Sequence, residues 1–84
     1  MFEVPIGVSA RHIHLAPEHI EALFGAGYQL HWWKPISQPG QFAAKETVTV
    51  AGPKGRIENV RVIGPARLYT QLEISRTDAI TLGV

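Results

Sequence analysis

"KETVTVAGPKGRIENVRVIG", residues 45–64, holds two β-branched runs on either side of Gly-Pro-Lys-Gly. Valine, isoleucine and threonine favour the pleated surface of a strand, and the Gly/Pro cluster punctuates it. The spacing predicts a strand over 45–51, a turn at 52–55 and a returning strand over 56–64, which together form a β-hairpin. The segments on either side are read against this hairpin. Upstream, "FEVPIGV" at 2–8 reads as a short strand interrupted by Pro5, and "RHIHL" at 11–15 alternates at the strand period. At "APEHIEALFGAG" the period changes. Pro17 suits a first helical turn, Ile20, Leu23 and Phe24 share an apolar face, and Gly25 or Gly27 ends the run, so a helix is expected over 17–24. "YQLHWW" suggests a strand over 28–33, followed by a loop through Pro39-Gly40. Downstream, "ARLYTQLEI" reads as a strand and "SRTDAITLGV" as a helix. Ser75 serves as its N-cap, Asp78 stands at the capping-box position and Gly83 is the stop.

These elements make five or six short strands and two short helices with no βαβ rhythm. They predict a mainly β fold, a small barrel or folded sheet with helical plugs. The 84 residues bound the chain to a single domain, 1–84, with a modest core. There is no cysteine, which removes disulfides and thiolate metal sites. Metal binding through His and carboxylates, or association with another chain, remain as supports. Eight Lys and Arg against seven Asp and Glu give no footprint for nucleic acid or an anionic membrane. Lys54, Arg56, Arg61, Arg67 and Arg76 make the second half locally basic, which suits a small anionic ligand. No apolar run is long enough to span a bilayer, and the first residues do not read as a secretory signal, so a cytoplasmic location is expected.

Three of the four histidines fall between 12 and 19. His12 and His14, at i and i+2, leave the same face of a strand and could hold one metal ion together. A catalytic zinc wants three protein ligands and an open position, so a third ligand would come from elsewhere. On spacing alone, a polar strand face beside a turn is the better account of the pair. His19 falls at the polar edge of the expected helix and reads as a surface or cap residue, and His31 as a histidine packed in an aromatic strand. Glu73 ends an apolar strand. It reads as a solvent-facing carboxylate, a partner for Arg76, or the missing third ligand. Arg67 follows Gly64-Pro65 and offers a planar fork that matches phosphate or carboxylate, although a plain surface arginine is the simpler reading. Gly52, Gly55 and Gly64 are turn glycines, since the P-loop frame is absent. Trp32 and Trp33 suit a core or oligomer contact better than base stacking.

"PIGVSARHIHL", "SQPGQFAAKETVTVAGPKGRIENVRVIGPAR" and "TQLEISRTDA" together resemble the PduL-type phosphate propanoyltransferases, or phosphotransacylases, from Pro5 to about Asp78. The resemblance implies zinc enzymes of two related β-barrel domains that exchange acyl-CoA plus phosphate with acyl phosphate plus CoA. It places zinc on His12, His14 and Glu73, and phosphate on Arg67. Family members are about twice as long, and their second half carries another H-x-H and a further histidine for a second zinc. This chain matches the N-terminal half, without the extension that sends some members into microcompartments. The resemblance also implies an N-terminal strand that crosses into the other barrel. A homodimer, strand-exchanged with a second copy, is therefore expected to stand in for the missing half.

The expected reaction is direct attack of phosphate on the thioester carbon. Arg67 orients the phosphate, and zinc on His12, His14 and Glu73 acts as a Lewis acid. Lys45 and Arg76 are weaker candidates to support CoA or phosphate. No Ser-His-acid frame and no cysteine suggest a covalent acyl-enzyme. The rival expectation is an inactive single barrel that binds metal and serves as an assembly module.

Overall fold

A computed structural model describes residues 11–84. The strand expected over 2–8 lies outside the described residues. Five strands and two helices follow in the order β1 (His12–His14), α1 (Pro17–Phe24), β2 (Trp32–Pro35), β3 (Phe42–Ala51), β4 (Arg56–Gly64), β5 (Gln71–Glu73) and α2 (Arg76–Leu82). The strands form one mixed sheet of order β2-β3-β4-β1-β5, in which β1 runs parallel to β4 and the other neighbours are antiparallel. Among the described residues this sheet is open, with β2 and β5 at its edges, rather than closed into the expected barrel.

The hairpin and both helices stand where the sequence places them. β3 and β4 pair from Val48↔Val60 to Ala51↔Arg56, and Asn59 takes φ 61° where the register slips. A positive φ is tolerated best by Gly, Asn and Asp, and a bulge needs one such residue. β3 starts at Phe42, earlier than expected, and β2 covers 32–35 instead of 28–33. The expected strand through "ARLYTQLEI" shrinks to Gln71–Glu73, because 66–70 form an irregular loop that carries Arg67. Leu23 does not join the core: Ile20 is buried and Phe24 half-buried, while Leu23 stands 55% exposed.

One face of the sheet builds the core. Ile13, Val60, Val62 and Ala44 from the strands meet Leu15, Ile20 and Leu82 from β1's end and the two helices. Helix α2 is capped as expected: Ser75 Oγ accepts from the Asp78 amide at 3.1 Å, and Gly83 closes the helix at φ 84°. The hairpin turn lets this helix come close. A Cβ on Gly52 would meet the Leu82 carbonyl and, at 2.8 Å, its Cβ, and the Lys54 amide donates to that same carbonyl at 3.0 Å. The glycine is thus required by contact with α2 as well as by the turn.

Candidate metal centre and anion groove

Register decides what meets on the other face of the sheet. β1 is three residues long, so His12 and His14 point one way and Ile13 points into the core. Glu73 stands directly opposite His12 across the antiparallel β1–β5 pair, and Gln71 opposite His14. On the parallel side, Arg61 aligns with His12 and Ile63 with His14. His12, His14 and Glu73 each bring a donor atom to one point, all within 4.8 Å of one another. His12 Nε2 lies 3.4 Å from Glu73 Oε1, and the two imidazole rings stand perpendicular at 5.1 Å between centroids.

The electrostatics favour the neutral form of His14. Burial lowers the His14 pKa, with the Arg67 charge and the neighbouring His12 acting in the same direction and Glu73 against them. A neutral imidazole keeps a lone pair for a metal, so the donor set fits a zinc ion with a further position left for another group. Arg67 is held by its backbone amide, which donates to the Leu15 carbonyl at 2.9 Å, and by Nη1, which donates to Gln71 Oε1 at 2.8 Å. The groove that contains the three donors, about 790 Å³, is lined on its charged side by Arg11, Lys34, Arg61 and Arg67, with Glu73 as the opposing carboxylate. Arg11 is itself anchored: Nη2 and Nε donate to the two Asp78 oxygens at 2.5 and 3.0 Å, and this lowers the Asp78 pKa.

The other candidates fall elsewhere. His19 pairs with the Thr70 hydroxyl and is not among the described residues lining the groove. Arg76 and Lys45 are exposed and are not among the described residues lining the groove. Trp32 and Trp33 are exposed rather than core residues. Lys34 Nζ and Arg61 Cζ each lie 4.3 Å from a Trp33 ring centroid. His31 precedes β2 rather than lying in a strand; its ring stands edge-on to Tyr28 at 5.6 Å between centroids, and its Nδ1 is bonded to the buried carboxylate of Glu46 at 2.6 Å.

Lys34 and Glu46 are residues that sequence reasoning passed over, and Arg61 was named there only as one of five basic residues suited to a small anion. Glu46 left a signal: in "KETVTV" it shares the alternation of Val48 and Val50, which makes it a charge on an apolar face. Arg61 alternates with Ile63 opposite Val60 and Val62, so it stands on the non-core face of the central strand. Lys34 left none, because its approach depends on how β2 folds back over β3.

The sequence profile of the family described as phosphate propanoyltransferase matches residues 5–84. A phosphate propanoyltransferase of Thermotoga maritima is 66% identical over 79 residues, 94% of this chain and 38% of that protein. One from Priestia megaterium is 66% identical over 80 residues, 95% of this chain and 37% of that protein. One from Lachnoclostridium phytofermentans is 60% identical over 84 residues, 99% of this chain and 39% of that protein. The chain thus spans less than two-fifths of the length of these curated relatives. With a family match across nearly every residue, the chain belongs to the phosphate propanoyltransferase family.

Proposed function

We propose that this chain supplies one half of a zinc-dependent phosphate acyltransferase site, which exchanges acyl-CoA plus phosphate with acyl phosphate plus CoA. One observation carries the reading: three metal-type donors converge beside Arg67 on the floor of a cationic groove. In this reading His12, His14 and Glu73 hold the zinc, which when bound supplies Lewis acidity toward the thioester carbonyl. Arg67, steadied by Gln71, orients phosphate toward the carbonyl carbon. A phosphate oxygen bonds that carbon, the C–S bond breaks, and CoA leaves as thiolate. Lys34 and Arg61 add to the positive lining, Arg61 in register with His12, and we assign them the anionic phosphates of CoA, ahead of Lys45 and Arg76. We place the reaction in the cytoplasm. Among the described residues no helix is long and apolar enough to cross a membrane.

We also propose that 1–84 forms a single small barrel, closed by strand exchange between two copies in a homodimer. Support comes from the two unpaired edges of the described sheet and from exposed Leu68 and Tyr69 beside Arg67. A second reading takes the three converging donors as a metal site without turnover: a catalytically inactive metal-binding half that serves in assembly. Three measurements on the chain separate these readings: zinc per chain by metal analysis, mass by light scattering, and phosphate-dependent thiol release from acetyl- or propanoyl-CoA. A zinc-loaded dimer with turnover supports the first. Zinc without turnover supports the second, and a monomer at micromolar concentration sinks the dimer.

A further inference from the structure

Among the described residues, the donor cluster leaves the buried carboxylate of Glu46 without a use. Glu46 is 8% exposed in a small domain, where an uncompensated carboxylate is costly. It is fully engaged. Oε2 accepts from the Tyr28 hydroxyl and from His31 Nδ1, both at 2.6 Å, and Oε1 accepts from the His31 backbone amide at 3.0 Å. These donors bring its pKa down to about 2 against the opposing effect of burial, so it is an anion at neutral pH.

The place of this carboxylate in the sheet gives it a task. β3 bulges around it: from Ala43 to Thr47 the strand advances while its partner β4 moves only from Ile63 to Arg61. β2 slips in the same place, pairing Trp32 with Ala44 but Lys34 with Ala43. A bulge leaves ladder groups without strand partners, and here two side chains take them over. Glu46 accepts the His31 amide, while the Lys45 amide donates to the His31 carbonyl at 2.8 Å, so both backbone groups of His31 are tied to the bulge. Arg61 Nη1 donates to the Ala44 and Lys45 carbonyls at 3.1 and 3.0 Å. His31 is the residue from which β2 departs, and Trp33 and Lys34 stand on it over the groove. Trp33 then packs on Arg61, which closes the loop of contacts.

We propose that Glu46 is a positioning residue of the groove: by gripping His31 inside the β3 bulge, it sets where Trp33 and Lys34 stand relative to Arg61. Glu46 is not among the described residues lining the groove and acts through His31 and the β2 strand that follows it. The assignment of CoA phosphates to this arm rests on the function proposed above, but the positioning itself does not.

The test is Glu46→Gln in the whole chain, held well below its melting temperature and followed by proton–nitrogen correlation spectra. Trp32→Phe identifies the Trp33 indole resonance. Expected are displaced signals for the Trp33 indole and the Arg61 Nε–H, with His12, Ile13 and Val62 amides in place. CoA binding by titration calorimetry should weaken about tenfold while zinc affinity stays within about twofold, since only the β2 arm moves. Shifts confined to Tyr28, His31 and their chain neighbours, with the Trp33 and Arg61 signals unmoved, overturn the proposal. If Glu46→Gln fails to fold, Tyr28→Phe removes one donor and should displace the same two signals by less; unmoved signals overturn the proposal there too. Displaced signals in a chain whose wild type binds no CoA uphold the positioning and count instead against the proposed function.

Discussion

Two His–carboxylate pairs sit on the sheet and behave in opposite ways. At His12–Glu73 the carboxylate is an edge-strand side chain, 46% exposed, separated from the imidazole by 3.4 Å, with a second imidazole converging. At His31–Glu46 the carboxylate is buried and engaged by a hydroxyl, an imidazole and a backbone amide. A buried carboxylate already engaged by three donors is poorly placed to take a ligand, and its value is in holding the groups that bond it. Converging donors that are loosely engaged with one another, beside an arginine, are arranged for something else to enter. Shared residue types therefore do not make two equivalent sites; what separates them is how many donors each carboxylate already serves.

The comparison breaks most sharply on metal affinity. His14→Ala should weaken zinc binding about 100-fold or more, because one of the three proposed ligands is lost, whereas Glu46→Gln should leave it nearly unchanged. Competition with a chromophoric chelator measures both, and equal losses would erase the distinction. Next comes Arg67→Ala, expected to cut phosphate-dependent thiol release about tenfold or more with zinc retained. Unchanged kinetics would remove Arg67 from the site.

The saturated pair should instead show itself in acid. Glu46 titrates near 2 when folded against 4.5 ordinarily, so its contribution to stability is whole above about pH 4.5 and is lost as pH falls toward 2. Glu46→Gln should thus lower the melting temperature by about 5 °C at pH 7, with the gap to wild type closing toward pH 2. Calorimetric scans from pH 7 to 2 test it, and a gap that stays constant contradicts it. Smallest is Tyr28→Phe, which removes one of the donors to Glu46. A decrease of about 2–3 °C at pH 7 is expected, again shrinking in acid.

Local chemistry was legible in the chain itself. The 45–64 hairpin, the helix over 17–24 and the capped helix after Ser75 each depend on neighbours within a few residues, and each stands as read. The alternation of His12 and His14 about Ile13 also needed only the strand period. The direction toward zinc on His12, His14 and Glu73 came from family resemblance, and the shared face of the three is a matter of register. β5 is short because only Gln71–Glu73 reach β1, after the Arg67 loop has turned. β2 moved to 32–35 because His31 is captured by Glu46, fifteen positions along the chain. Tertiary structure alone decided which strands lie side by side, that Glu73 faces His12 across 61 residues of chain, and that Lys34 and Arg61 rather than Lys45 and Arg76 line the groove. The physical reason is range. Propensity, capping and turn chemistry act over one or two turns of chain. Strand order and bulges are settled by which distant backbone groups satisfy one another once the core has formed.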